Sequence, residues 1–182
     1  MPAACSRFLT LTFLLSMVFM GTERVNADSG NQPVPPATPA CSAPEFRQFD
    51  FWLGDWEVRD PTGKKVGENR ITAILGGCAL LENWSGTGGV NGTSVNIYDA
   101  QDHQWHQAWV DRTGGFLQLA GEFKNGKMIL AGQTPVPDKP GQATLQRITW
   151  EAQRDGRVRQ LWESSADGKV WSVAFDGLYA RK

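Results

Sequence analysis

Signals for tight turns recur every eight to twelve residues from Gly54 onward, and that spacing leaves room for little except short strands. The turns fall at Pro61-Thr62-Gly63, Gly76-Gly77, Asn91-Gly92, Asp99 to Asp102, Gly114-Gly115, Asn125-Gly126, residues 133–141, Asp155-Gly156 and Asp167-Gly168. Asn-Gly and Asp-Gly tolerate the positive φ that tight hairpins demand. Between the turns lie segments rich in Trp, Val, Ile, Thr and Phe. They predict strands near 55–60, 66–74, 78–85, 93–99, 104–111, 115–123, 127–132, 142–151, 157–164 and 169–179.

Period-two alternation is clear where Trp171, Val173 and Phe175 oppose Ser172, Ala174 and Asp176, and where Val95 and Ile97 alternate with Ser94 and Asn96. No ten-residue stretch after Gly54 sustains a helical period. About ten strands joined by short turns make an antiparallel meander, and closing it removes two exposed edges. The expected fold is therefore all-β, an up-and-down barrel, with a two-sheet sandwich as the alternative. Barrel diameter grows with strand number. Ten strands enclose more space than this length of chain easily fills, so a cavity is expected.

The N-terminal region reads as an address followed by a spacer. Arg7 precedes an apolar run, Phe8 to Met20, and Val25-Asn26-Ala27 supplies small residues for cleavage, so residues 1–27 read as a signal peptide. The run spans 13 residues, short of the ~20 that a membrane-crossing helix needs. Residues 28–44 are rich in Pro, Ser and Ala and read as an extended leader. The barrel domain is then 45–182, and the expected location is outside the cytoplasm, periplasmic or secreted. A net charge of −1 and pI near 6.1, with Lys and Arg scattered, argue against nucleic acid and anionic membranes as partners. With Cys5 in the signal, Cys41 and Cys78 remain. An even pair in an oxidising compartment favours a disulfide over two buried thiols.

The stretch "FDFWLGDWEV" sets Phe49, Phe51, Trp52 and Trp56 around Gly54. A short helical turn over 45–52 would let Phe49, Phe51 and Trp52 stopper one end of the barrel. Gly54 would make the corner into the first strand, and Trp56 would point into the closed end. Gly54-Asp55-Trp56 resembles the G-x-W signature of lipocalins. That resemblance implies a tryptophan at the closed end, with an arginine from the last strand across its ring; Arg181 is the candidate. "FDFWLGDWEV", "GGCALLENW", the pattern from Trp105 to Asp111 and the ending "FDGLYARK" are also similar to an exported bacterial family of unknown function, grouped with lipocalin-like and nitrobindin-like barrels. The similarity spans about residues 41 to 182. It implies a calycin-like barrel and assigns no activity. A nitrobindin-like haem site needs a C-terminal histidine, and this chain has none after His106, so no cofactor is carried over.

Eight tryptophans are spread at nearly one per strand, and inward ones either fill volume or line a pocket. Trp56, Trp84, Trp105, Trp109, Trp162 and Trp171 are cavity candidates, and Gln107 shares a face with Trp105 and Trp109. Arg147, Arg159 and Glu163 lie where alternation is blurred. Facing inward, an arginine would clamp a carboxylate; facing outward, all three are solvated charge. Asp102, His103 and His106 straddle a turn without a third strong ligand beside them, so no metal site is read from them. The glycine-rich stretch 85–93 and the proline-stiffened loop 133–142 are expected at the barrel mouth.

Together these features point to an exported protein holding a small hydrophobic or aromatic ligand in a barrel. Two alternatives stay open. One is a cavity enzyme using Glu163 or a histidine with Arg147 or Arg159, which requires them to converge inside the lumen. The other is an interaction module with an exposed apolar patch.

Overall fold

Asn125 and Gly126 both take positive φ, 51° and 78°, and turn the chain back on itself within two residues, as hairpins of this kind require. The computed structural model describes residues 40–182; the segment read as a signal peptide and most of the segment read as a leader lie outside the described residues. Ten strands follow one another: β1 (Gly54–Arg59), β2 (Lys65–Ile74), β3 (Ala79–Gly86), β4 (Asn91–Asp99), β5 (Gln104–Asp111), β6 (Phe116–Lys124), β7 (Lys127–Pro135), β8 (Ala143–Ala152), β9 (Val158–Ser165) and β10 (Ser172–Arg181). Each pairs antiparallel with its neighbours in sequence. β10 returns to β1, with Trp56 opposite Arg181 and Val58 opposite Tyr179. The sheet is a closed barrel rather than a sandwich, so no strand edge is left unpaired.

One end of the barrel is sealed. Two short 3-10 turns, Pro44–Arg47 and Asp50–Trp52, lead into β1 and carry Phe49 and Trp52 into complete burial. Phe49 stacks on Trp52 at 4.9 Å between ring centroids and meets Trp150 edge-on at 5.2 Å and Trp105 at 5.6 Å. Phe51, half-buried, leans on Phe123 at 6.2 Å. Trp56 is buried in the same layer and donates its indole N–H to the Trp52 carbonyl at 2.8 Å. Each ring removed from water contributes about 2–3 kcal/mol of gross stabilisation.

Gly54 is fixed by its surroundings. The Arg181 guanidinium lies 4.4 Å over the Trp56 ring, and a Cβ at Gly54 would fall 2.4 Å from Arg181 Nη1. Its φ of 138° is also one that side chains disfavour. The Cys41–Cys78 disulfide joins the segment before this plug to the β2–β3 connection. Arg47 reaches the same connection by donating to the Gly77 carbonyl.

The outer wall is dressed for water. Asp55–Arg70 at 2.5 Å, Asp176–Arg159 at 2.7 Å and Glu151–Lys127 at 3.1 Å are ion pairs upon it. One strip departs from this, where Val95, Ile97, Val110 and Phe116 stand exposed on β4, β5 and β6. No helix among the described residues is long and apolar enough to cross a membrane.

Candidate functional site

Strand alternation sends a second set of aromatics into the lumen, nearer the unplugged end. Trp84 on β3, Trp109 on β5, Trp162 on β9 and Phe175 on β10 surround a cavity of about 310 Å³. Val66, Leu117 and Ile148 complete much of its apolar wall, and Gly86, Gly88 and Val90 of the β3–β4 hairpin stand at its mouth. Three of these rings lie against glycines, which draws them to the wall and leaves the space between them open. A Cβ at Gly67 would meet the six-membered ring of Trp84 at 2.5 Å, and one at Gly92 would meet that of Trp109 at 2.3 Å. Gly177 lies under Phe175 in the same way, at 2.5 Å. Hydrogen bonds pin two of the indoles: Trp109 donates to Asp111 Oδ2 at 3.2 Å and Trp162 to Gln146 Oε1 at 2.7 Å. With those N–H groups occupied, the rings offer the lumen apolar surface.

Toward the plug the lining turns polar. Glu82, Gln107, Gln160 and Tyr179 border the cavity, and Asn69, Ser94 and Asn96 are buried beside them. These groups form a directed chain of donors. Gln107 Nε2 donates to Asn96 Oδ1 at 2.8 Å, Asn96 Nδ2 to Ser94 Oγ at 2.9 Å, and Ser94 Oγ to Glu82 Oε2 at 2.6 Å. Asn69 Nδ2 donates to Glu82 Oε1 at 2.7 Å. Tyr179 donates its hydroxyl to Gln160 Oε1. Glu82 is 5 % exposed. Burial pushes its carboxyl above the usual range of 4.5, while the Ser94 and Asn69 hydrogen bonds pull the other way and lose. Burial first, and the nearby Glu82 second, raise the Tyr179 hydroxyl well above its ordinary 10.0.

Of the residues singled out from the sequence, the structure brings Trp84, Gln107, Trp109 and Trp162 together around this cavity. The others lie elsewhere. Trp56 and Trp105 point inward but are buried in the plug, because they stand at the sealed ends of β1 and β5. Arg147, Arg159 and Glu163 face outward, since their neighbours Ile148, Gln160 and Gln146 hold the inward parity. Arg147 pairs with Glu163 at 2.9 Å and Arg159 with Asp176, on a shallow outer groove shared with Lys127 and Glu151. The lumenal convergence that the histidine- or Glu163-based enzyme needs is not present among the described residues. Trp171 precedes β10 and lies outside, with the Arg147 guanidinium 4.1 Å over its ring. A register shift between Val173 and Phe175 breaks the alternation of that segment, turning Val173 out while Phe175 lines the lumen.

At the sealed end, Asp102 meets His106 at 2.8 Å, and Asp99 joins them in a group whose ligand atoms lie within 4.8 Å of one another. Asp99 and Asp102 each spend an oxygen on a backbone N–H, of Gln101 and Gln104. These are turn-stabilising contacts.

Sequence reasoning missed Asn69, Glu82, Ser94, Asn96, Gln160 and Tyr179. The rule that apolar residues face the core favours Val95 and Ile97, which the structure turns outward. A signal was nevertheless available. Trp105, Gln107 and Trp109 face inward, and their partners across the β4–β5 ladder are Tyr98, Asn96 and Ser94. Facing partners share a side of the sheet, so inward tryptophans on β5 oblige the polar residues of β4 to follow. No family model matches the chain, and no curated protein matches it.

Proposed function

We propose that this is an exported binding protein that carries a small apolar or aromatic ligand in the open half of its barrel. The observation that supports this reading is the 310 Å³ space walled by Trp84, Trp109, Trp162 and Phe175 above a hydrogen-bonding floor. Apolar walls with a few fixed polar groups are the usual build of small-molecule sites, and this volume lies at the lower end of their ~300–1,000 Å³ range. The fit is to a ligand of one or two rings. Export is supported by the apolar segment Phe8 to Met20 and by the disulfide, a bond that persists in oxidising compartments. The resemblance to lipocalin-like barrels agrees with a carrier.

Tryptophan emission tests this. Titration with 2-naphthol, geraniol and decanol should give saturable quenching by at least one of them. Trp109→Leu and Trp162→Leu should diminish the signal, and Trp171→Leu, on the outer wall, should leave it. No response to any probe class would remove the proposal. A second reading, a protein-contact face, is favoured by the exposed strip of Val95, Ile97, Val110 and Phe116. Sedimentation that changes with concentration in the parent protein, and not in Val110→Glu, would support it.

A further inference from the structure

The floor of the cavity holds an acid with no base to meet it. Glu82 is the one carboxylate among the lining residues, and no lysine, arginine or histidine lines the cavity with it. Arg70, Arg147, Arg159, Lys127 and Lys182 have acidic partners on the outer wall instead. A buried carboxyl without a counter-ion is expensive to ionise, and an apolar residue would fill its place at no such cost.

The groups around it are arranged for negative charge. Two donors, from Asn69 and Ser94, end on the carboxylate, and the Ser94 hydroxyl is itself fed by Asn96 and Gln107. Such chains strengthen one another in a low-dielectric interior. Asn69 Oδ1, buried beside Glu82, has no donor among the described residues. Above this floor stand the faces of indoles and a phenyl ring, which attract cations through their quadrupoles.

We infer that the cavity accepts a small organic ammonium ion, its nitrogen against the Glu82 carboxylate and its carbon skeleton among Trp84, Trp109, Trp162 and Phe175. The inference rests on the reading of the lumen as a binding site and names its ligand class. The neighbours of Glu82 from the surrounding strands are Asn69, Ser94, Asn96, Gln107 and Gln160, none of which titrates. Tyr179 is the one other titratable group facing it among the described residues, and it stays neutral. In the empty site, burial disfavours the charged form of Glu82. An arriving ammonium ion keeps its own proton and favours the charged form, so any proton that Glu82 carries passes to solvent and the bound state is an ammonium–carboxylate pair. Amine binding is thereby coupled to proton release, and it tightens as pH rises toward the native pKa of Glu82.

Calorimetry with 2-phenylethylamine and its neutral isostere 2-phenylethanol tests this. The titrations are run at about pH 5.5 in two buffers of different ionisation enthalpy. The amine should bind at least about tenfold more tightly than the alcohol, releasing up to one proton per molecule bound. Glu82→Gln should weaken the amine by about tenfold or more and weaken the alcohol by less; remaining alcohol binding also reports that the variant is folded. Equal affinity for amine and alcohol, or wild-type amine affinity in Glu82→Gln, would each overturn the ammonium assignment while leaving the cavity intact as a neutral-ligand site. If neither compound binds, and the emission titrations also fail, the binding reading falls and takes this inference with it.

Discussion

The two halves of the lumen use the same residue type for opposite ends. In the plug, Trp52 and Trp150 are wholly buried, and neither indole N–H has a hydrogen-bond partner among the described residues. A buried donor left unmet costs about 1–3 kcal/mol, so ring packing there outweighs hydrogen bonding. At the open end, the N–H groups of Trp109 and Trp162 are satisfied by Asp111 and Gln146. What differs is the group each ring packs on. The plug rings meet other rings at 4.9–5.6 Å, whereas Trp84 and Trp109 rest on Gly67 and Gly92. A tryptophan packed on other rings fills the barrel; a tryptophan laid on a diagonal glycine is drawn against the wall and leaves space.

Substitutions at the two ends should separate these roles. Trp52→Ala empties the centre of the plug and should cost about 3–5 kcal/mol, measured by urea unfolding, the largest effect of any single change considered. Replacing Cys41 and Cys78 with serine frees a loop of 37 residues' separation. In the loop-closure account this should cost about 3–4 kcal/mol while leaving probe affinity unaltered, because the disulfide clamps the plug side. Gly92→Ala forces a Cβ to within 2.3 Å of the Trp109 ring and 2.7 Å of the Val110 carbonyl oxygen. It should cost about 1–3 kcal/mol and also lower probe affinity, since the ring has only the cavity to move into. Equal probe affinity in Gly92→Ala would break the contrast between lining and filling.

The smallest effect is the pH dependence set by Glu82. Burial raises its native pKa above the ordinary 4.5, so the folded protein keeps a proton that the unfolded chain releases. The native state is then favoured fully below about 4.5 and loses stability as pH climbs from there toward the native value. The slope reaches about 1.4 kcal/mol per pH unit while one proton separates the two states. Glu82→Gln should flatten the parent protein's slope over that window in urea titrations.

Turn chemistry made the architecture legible. Asn-Gly, Asp-Gly and Gly-Gly pairs placed ten strands to within a few residues, and the aromatic cluster around Gly54 located the seal. The Gly54 problem is instructive, because the residue that demands the glycine, Arg181, lies at the other end of the chain and arrives only when β10 pairs with β1. The site was half legible. Trp84, Trp109, Trp162 and Gln107 stand out by residue type, but the depth of each depends on where its strand enters the barrel, and this sent Trp105 to the plug. Arg147, Arg159 and Glu163 face outward by a parity that blurred alternation did not reveal. Glu82 was passed over by residue type, although period-two alternation puts it on the same face as Trp84. Only the company of Asn69 and Ser94, brought by strands on either side, makes an inward acid tolerable.

Diffraction from crystals held under xenon pressure asks most directly whether one half of the lumen is open and the other filled, since the gas settles in apolar voids. Xenon density among Trp84, Trp109 and Trp162, with none among Phe49, Trp52 and Trp150, is the expected result. An empty difference map in the upper lumen, or xenon lodged in the plug, would contradict it.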